Sequence, residues 1–344
     1  MPLKVLHLAA GNRWTGAAAP AFAEVEALRG AGADAHYAYV GGYKLEAKLR
    51  RHDFAHPLIE KAQNPLSFLR TVQTLRRLVD RHRFDVVHAH LSYDHWLARF
   101  VVSGTATRLA RTFHARRVLR SDAFTQSLLR RTHHLFVVNR AFRIAGRETI
   151  FTPPPLDHRQ FHPDGPDVRA AYGITPEDKL LVVIGKLSKG RGFELALDTL
   201  AHVPEAKLMI IGHGEHRPAL EAHASAIGVA PRVIWAGYHE DDLAEHYRAA
   251  DALLFTARGS DEGHRAVLEA MACGVAPTVA PLEGIGALVP GHAIARTHTA
   301  EGLAEIARQA LDSRSADARR IIAEHTQQFG YDAAAARLLN AYSL

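Results

Sequence analysis

Cysteine is almost absent from this 344-residue sequence, in which Cys273 stands alone, so the chain cannot form an internal disulfide. This scarcity argues against a disulfide-stabilised secreted domain and favours a reducing compartment. No apolar run approaches the roughly 18 residues that a membrane-spanning helix needs. The first apolar stretch ends at Gly11, which is too early for a signal peptide. We therefore expect the whole chain to be the mature protein and to reside in the cytoplasm.

The remaining composition is that of a folded protein with two domains. Apolar residues make up 47% of the chain and charged residues 23%, which excludes a disordered or collagen-like chain. At about 150 residues per domain, the length predicts two domains rather than one. The sequence contains no short repeat and no low-complexity segment.

The net charge of +6 is divided unevenly along the chain. Residues 1–165 contain 25 Lys and Arg against 13 Asp and Glu, whereas residues 166–344 contain 17 against 23. A basic first half can attract nucleic acid, an anionic membrane surface or a phosphorylated substrate. The alternative is that the basic surface only keeps the protein in solution.

Short apolar strands alternate with helical patterns in both halves of the sequence, which predicts two parallel sheets covered by helices on both faces. The predicted strands are Lys4–Leu8, His36–Val40, Phe84–Ala89, Arg108–Phe113 and Leu135–Val138, then Lys179–Ile184, Lys207–Ile211, Val233–Trp235, Ala252–Phe255 and Ala276–Val279. A proline-rich linker over 153–166 separates the two series. Ligands of such sheets bind beyond the carboxyl ends of the strands, so candidate site residues should follow strands.

A glycine-rich turn, Gly185–Gly192, follows the predicted strand Lys179–Ile184 and begins a helix. Lys186 and Arg191 flank its small residues, so two cations and the free N–H groups of a helix start can meet one anion. A diphosphate suits this arrangement, because it needs both charge neutralisation and close backbone approach. The alternative is a lysine-rich surface turn.

Carboxylates precede and enter the helix that follows strand Ala252–Phe255. Asp261 and Glu262 lie before this helix, and Glu269 lies inside it among Ala, Val, Leu and Met. We expect Glu269 to face a cleft and to accept hydrogen bonds from the hydroxyls of a ribose or sugar. The alternative is a solvent-exposed acid that the helix dipole favours.

Three motifs that would indicate other chemistry are incomplete or absent. His88 and His90 share one face of a strand, as metal ligands do, but the Asp94-His95 pair follows too late for the metallo-hydrolase signature. We therefore predict no metal site. The sequence also lacks a D-x-D motif for a diphosphate-bound cation and a full G-x-G-x-x-G nicotinamide motif.

Over residues 180–290 the sequence closely resembles the retaining glycosyltransferases of family 4, which have the GT-B fold. The matching stretches are GKLSKGRG at 185–192, IIGHGE at 210–215, RVIWAGY at 232–238, AADALLF at 249–255 and EGHRAVLEAMACG at 262–274. The first half is similar more loosely. Its matching stretches are GNRWTGA at 11–17, DVVHAH at 85–90, TFH at 112–114, FTPPPLDHRQFHP at 151–163 and the segment 331–342.

The resemblance implies an α/β protein of GT-B architecture, with two doubly wound, Rossmann-like parallel-sheet domains facing a cleft. Residues 1–160 would bind the acceptor, and residues 161–328 would bind the nucleotide-sugar donor. Residues 329–344 would form a carboxyl-terminal helix that crosses back to the first domain.

The resemblance also implies roles for single residues. The catalytic group would comprise His114, Lys186, Arg191, Asp261 and Glu262, and the donor-binding group Gly16, Gly185, Lys186, Arg191, Gly263, His264 and Glu269. In the family, Arg precedes Lys in the diphosphate loop, whereas this chain has the reverse order. The planar guanidinium of arginine and the compact ammonium of lysine therefore change places. The first acid of the E-x7-E pattern is either Asp261, by its spacing to Glu269, or Glu262, by its neighbour Gly263.

The implied activity is metal-independent transfer of a sugar from a UDP- or GDP-sugar, with no further cofactor. The acceptor would be a glycan or a lipid-linked hydroxyl in bacterial cell-surface polysaccharide or lipopolysaccharide assembly. The basic first domain would allow peripheral contact with the inner face of an anionic membrane. The alternatives are a nucleotide-sugar epimerase of the same fold and a non-catalytic basic binding protein. Nucleic acid is not expected as a partner, because the acidic second half would repel it.

Overall fold

The computed structural model describes residues 2–11, 14, 16–60, 64–256, 264–313 and 315–343. Contacts within the chain divide it into two compact units. The first unit contains residues 2–155 together with 329–343, and the second contains residues 156–256 together with 264–328. The chain therefore returns to the first unit after residue 328.

The first unit is a parallel α/β sheet. Its elements are β1 (Lys4–Ala9), α1 (Ala18–Gly30), β2 (Asp34–Val40), α2 (Lys44–Leu49), β3 (Ala55–Ile59), α3 (Pro65–His82), β4 (Val86–Ala89), α4 (Ser92–Val101), β5 (Arg108–Phe113), α5 (Ala123–Arg130), β6 (His134–Val137) and β7 (Ile150–Phe151). The strand order is β3-β2-β1-β4-β5-β6-β7. Every described strand pair in it is parallel.

The second unit repeats this plan with fewer strands. Its elements are β8 (Lys179–Ile184), α6 (Phe193–Ala201), β9 (Ala206–Ile211), α7 (Arg217–Ala226), β10 (Val233–Gly237), α8 (Leu243–Ala249), β11 (Ala252–Phe255), α9 (Arg265–Ala272), β12 (Ala276–Val279), α10 (Ala300–Asp312) and α11 (Ala316–His325). The parallel strands run in the order β10-β9-β8-β11-β12.

Both sheets have a point at which the chain reverses its direction of strand addition. In the first unit this point lies between β1 and β4, and in the second it lies between β8 and β11. Loops that leave neighbouring strands in opposite directions create a crevice there, where ligands of open α/β sheets bind. The predicted doubly wound parallel architecture is thus confirmed.

The strands carry continuous apolar runs because helices cover both faces of each sheet. In β8, the four residues Leu180–Val183 are each at most 4% exposed. Leu181 and Val183 join a core that also contains Leu197 of α6 and Leu311 of α10. Of the helices in the described part of the chain, none is long and apolar enough to cross a membrane.

The last helix, α12 (Tyr331–Ser343), packs against α1 in the first unit. Its alanines Ala334 and Ala335 meet Ala27 of α1, and small side chains at this contact allow the two helices to approach closely. One turn further on, Leu338 and Tyr342 enter the core beside the sheet. The end of the chain is therefore an integral part of the first unit.

Candidate active site

The 185–192 loop leaves the carboxyl end of β8 and is fixed by backbone hydrogen bonds to the loop that follows β9. The Gly185 N–H donates to the Ile211 carbonyl at 3.0 Å, and the Leu187 N–H donates to the His213 carbonyl at 3.0 Å. The Leu187 carbonyl accepts from the His216 N–H at 3.1 Å. The main chain of the end of β9 and of the loop after it therefore holds the 185–192 loop.

Two glycines make this backbone contact possible. A Cβ atom at Gly212 would lie 1.9 Å from the Gly185 carbonyl oxygen, and one at Gly214 would lie 2.0 Å from the Leu187 carbonyl oxygen. Real Cβ atoms do not approach other atoms this closely, so only glycine fits at either position. The IIGHGE stretch at 210–215 thus positions the 185–192 loop.

The other side of the 185–192 loop contacts the end of β11. The Thr256 hydroxyl donates to the Gly192 carbonyl at 2.7 Å, and Thr256 is 1% exposed. This bond ties the start of α6 to the strand beyond the reversal point of the sheet. The predicted site residues Asp261, Glu262 and Gly263 follow Thr256 in sequence and lie outside the described residues.

Two cations of the 185–192 loop, Lys186 and Arg191, differ in their exposure. Lys186 is exposed, and its Nζ atom lies 3.7 Å from Oε2 of Glu215, which is also exposed. An exposed pair at this distance contributes little to stability, so an anion can compete for Lys186 at low cost. Arg191 is half-buried and immediately precedes Gly192, at the start of α6. The loop thus combines two cations with the N–H groups of a nine-residue helix.

Helix α9 places Glu269 in an enclosed position. The carboxylate side chain is 8% exposed, lies 3.0 Å from Arg265 Nε and accepts a 3.3 Å hydrogen bond from the Tyr247 hydroxyl. Burial is the main cause that raises the pKa of Tyr247 well above its usual value, and the negative charge of Glu269 is the second. The phenol therefore keeps its proton and remains a hydrogen-bond donor. Glu269 is more enclosed than its sequence context predicts. Its contacts with Tyr247 and Arg265 could not be predicted from the sequence.

His264 begins α9 in an unusual conformation. Its φ of 47° lies in the left-handed region, which favours glycine, and its ring packs edge-on against Phe255 at 5.2 Å. Such backbone strain occurs at functional sites more often than elsewhere. His264 therefore fixes the direction in which the chain enters α9 beside the end of β11.

In the first unit, Gly16 and His114 also follow strand ends. Gly16 lies between β1 and α1 with a φ of +58°, and His114 directly follows β5. Burial lowers the pKa of His114 to about 3, and the positive charges of Arg111 and Arg117 contribute smaller decreases in the same direction. His114 is therefore neutral near pH 7 and can exchange hydrogen bonds but cannot supply a positive charge.

Asp94 and His95 have structural partners. The buried Asp94 carboxylate accepts N–H bonds from Ala10 at 2.9 Å and from Leu91 at 2.8 Å, so it ties the loops after β1 and β4 together. His95 Nε2 lies 2.8 Å from the Thr132 hydroxyl. These contacts give both residues a structural role in the first unit.

The structure thus brings Gly185, Lys186 and Arg191 together in one loop and places His264 and Glu269 on the helix that follows the neighbouring strand. In the first unit, Gly16 and His114 follow β1 and β5, the two strands that flank β4. All the described site residues lie at or beyond carboxyl ends of strands, where chemistry on such folds is found.

Two family descriptions match successive parts of the chain. The sequence pattern of the family described as Glycosyltransferase Family 4 matches residues 14–157, and that of Glycosyl transferases group 1 matches residues 178–313. The chain is a family 4 glycosyltransferase. Its two parallel-sheet units correspond to the GT-B fold that the resemblance implied.

Named relatives of this glycosyltransferase include two D-inositol 3-phosphate glycosyltransferases. The Jonesia denitrificans protein is 32% identical over 56% of this chain, and the Mycolicibacterium smegmatis protein is 28% identical over 76%. The first alignment spans 48% of the length of the relative, and the second spans 67%. The Anabaena protein HepE, solved in complex with UDP, matches the fold with a TM-score of 0.80 at 17% identity, over 99% of this chain and 100% of that chain.

Proposed function

We propose that this glycosyltransferase is a retaining enzyme that moves a sugar from a UDP- or GDP-sugar to a hydroxyl of a glycan or lipid-linked acceptor. The proposed setting is the assembly of a bacterial cell-surface polysaccharide such as lipopolysaccharide. The second unit would bind the donor, and the first unit would bind the acceptor. A relative in fold, HepE, was solved with UDP, which supports a nucleotide sugar as donor.

The proposal rests on a loop that contains the exposed Lys186 and the half-buried Arg191 and that is fixed at both ends at the reversal point of a parallel sheet. Backbone bonds from the loop after β9 hold its beginning, and the Thr256 hydroxyl holds its end. Because the main chain of this loop is already ordered, less conformational entropy is lost when Lys186 and Arg191 bind a diphosphate. A solvated lysine-rich turn would need no such support.

The proposed reaction breaks the bond between the anomeric carbon and the diphosphate oxygen, and the electron pair leaves with the diphosphate. The acceptor oxygen bonds to the anomeric carbon on the same face, and its proton passes to the leaving phosphate. The barrier is the charge that develops on this phosphate, which Lys186, Arg191 and the N–H groups of α6 would stabilise.

The remaining residues would orient the donor. Glu269 would accept hydrogen bonds from the ribose hydroxyls, and Asp261 or Glu262 would bind the sugar hydroxyls. His114, which is neutral, would hydrogen-bond the sugar and phosphate rather than attack carbon. Gly185, Gly16, Gly263 and His264 would let the backbone approach the donor.

The basic first unit supports an anionic or membrane-associated acceptor. D-inositol 3-phosphate, which the names of two relatives give, carries a phosphate. On α3, the apolar side chains Leu66 and Leu69 are 67% and 54% exposed and adjoin the exposed Arg70. Apolar groups beside cations suit contact with the headgroups of an anionic membrane.

A donor screen tests the proposed function directly. We would measure binding of UDP, GDP, ADP and dTDP by calorimetry, then follow hydrolysis of the matching sugar nucleotides. NMR of the products would show the anomeric configuration, and an epimer formed from donor alone would indicate an epimerase instead. Failure of all four nucleotides to bind would refute the proposal.

The first prediction concerns Glu269→Gln, which removes the charge but keeps the shape. Nucleoside diphosphate affinity should fall about tenfold, since hydrogen bonds to charged groups contribute about 1.5–3 kcal/mol. Calorimetry measures this change. Glu221→Gln is the matched control, because Glu221 also pairs with an arginine four residues away, Arg217, at 2.8 Å. Equal affinity of both variants would remove Glu269 from the donor site.

The second prediction is that sugar transfer does not need a free divalent metal ion. Lys186 and Arg191 would replace the divalent ion that often neutralises a diphosphate, so turnover should persist when EDTA is added directly to the assay. Initial rates with and without EDTA provide the measurement. Immediate loss of activity that Mg²⁺ or Mn²⁺ restores would show that a cation takes part in donor binding.

A further inference from the structure

Four buried residues of the first unit converge beneath the strand ends. They are His7 on β1, Glu24 on α1, His88 on β4 and His90 directly after β4, and each is at most 2% exposed. Potential ligand atoms of all four lie within 4.8 Å of one another. His7 pairs with His88 across the two strands, so the sheet register brings the histidines of β1 and β4 onto one face.

One carboxylate oxygen faces three imidazole nitrogens. Glu24 Oε2 lies 3.6 Å from His7 Nδ1, 3.7 Å from His90 Nε2 and 3.9 Å from His88 Nδ1. Zinc bonds of about 2.0–2.1 Å place tetrahedral ligands roughly 3.3 Å apart. These three separations are a few tenths of an ångström wider, whereas His7 Nδ1 and His90 Nε2 are closer, at 2.9 Å. Small rotations of the side chains would open this pair and bring the four ligands around one ion.

Two buried polar atoms of this cluster lack a hydrogen-bond partner among the described residues. Glu24 Oε2 and His7 Nε2 are buried and have no hydrogen-bond partner in the described part of the chain. A buried carboxylate oxygen without a partner is costly, and native structures seldom leave one in this state. A cation bound by Glu24 and the three histidines would satisfy this oxygen.

The ring nitrogens of His88 and His90 that point away from the cluster already have the partners that metal ligands need. His90 Nδ1 lies 3.0 Å from His114 Nε2, and His88 Nε2 lies 2.7 Å from the Thr112 hydroxyl. Metal-bound histidines almost always donate their second N–H to such a partner, which fixes the ring and its tautomer. The nitrogens that face the cluster are therefore His90 Nε2 and His88 Nδ1, and His90 Nε2 lies 2.9 Å from His7 Nδ1.

We propose that His7, Glu24, His88 and His90 bind one zinc ion that fastens α1 to β1 and β4. With zinc on Nε2, His90 keeps its proton on Nδ1 and donates it to His114 Nε2. His114 then carries its own proton on Nδ1. The zinc site stands independently of the donor site. The role of His114 at the donor rests on the proposed function.

Tyr342 competes with the metal in this arrangement. Its hydroxyl lies 2.5 Å from His88 Nδ1, the nitrogen that zinc would take. Tyr342→Phe removes this competitor and preserves the ring, so it should bind zinc at least as tightly as the unaltered protein. If the cluster is held only by hydrogen bonds and binds no zinc, Tyr342→Phe should not produce any zinc affinity.

The third prediction tests the zinc site with the full-length protein. Purification from zinc-supplemented medium should give one equivalent of zinc per chain by mass spectrometry, and Co²⁺ in its place should show the visible absorption of a tetrahedral ion. Glu24→Gln keeps the size of the side chain but removes a ligand, so zinc affinity should fall at least tenfold. Circular dichroism would establish that this variant is folded.

Control variants separate this site from weaker ones. The described residues also contain the partly exposed clusters Asp34–His36–His82 and His239–Asp242–His246. His36→Asn should leave the zinc content and the cobalt spectrum unchanged. Absence of stoichiometric zinc in the unaltered protein, or equal affinity in folded Glu24→Gln, would overturn the proposal. Nucleotide calorimetry on the same samples reports on donor binding separately, so the two proposals can fail independently.

Discussion

Gly212→Ala is expected to destabilise the second unit by at least about 3 kcal/mol and to abolish donor binding. The new Cβ would lie 1.9 Å from the Gly185 carbonyl oxygen, and the φ of +144° at this position is one that side chains rarely adopt. Both partners in the clash are main chain, so no side-chain rotation can relieve it. Either β9 or the 185–192 loop has to move. Chemical denaturation and nucleotide calorimetry measure the two effects.

Gly228→Ala is the matched control for this prediction. Gly228 has a φ of +75°, but a Cβ there would meet no atom within 4 Å. Its substitution should therefore cost only the conformational strain, about 1–2 kcal/mol, and should leave donor binding intact. If Gly212→Ala proves no less stable than Gly228→Ala, the close approach of the two loops does not matter for the fold.

The strands that the sequence revealed are those whose apolar residues are continuous. β8, with the sequence KLLVVI, is buried on both faces, and such runs are unmistakable. β3, with the sequence AHPLI, was missed because it is the edge strand and contains a proline, which only an edge tolerates well. β7, only two residues long, offers no period to detect.

The candidate site was predictable where it depends on local sequence. Lys186 and Arg191 flank a turn between a strand and a helix, and both the turn and the helix are visible in the sequence. The contacts that support the 185–192 loop could not be predicted from the sequence, because Thr256 lies 64 residues from its partner Gly192. Such long-range contacts require the strand order, which periodicity alone does not give.

The buried cluster of the first unit shows the same limit. His88 and His90 stand two residues apart and attracted attention as a pair. His7 and Glu24 gave no signal, since only the pairing of β1 with β4 and the packing of α1 bring them to the pair. The sequence after His90 therefore could not reveal which residues the fold brings to this pair.

Lys186→Ala is expected to lower kcat about 100-fold or more, the loss typical of removing one group that stabilises developing negative charge. Lys186 is exposed, and its weak pairing with Glu215 leaves its charge available to the leaving diphosphate. Because the charge on that group grows toward the transition state, kcat should fall more than the affinity for donor. Steady-state kinetics with the donor identified by calorimetry separate the two.

The same loop contains the control for this change. Lys189→Ala removes an exposed lysine of the 185–192 loop to which no role is assigned, so its turnover should stay within about twofold of the unaltered enzyme if position rather than general charge matters. Lys186→Arg should recover part of the activity, because it restores the charge with a different shape. Equal losses in Lys186→Ala and Lys189→Ala would mean that the loop attracts the donor only through its net charge, and the specific role of Lys186 would then have to be abandoned.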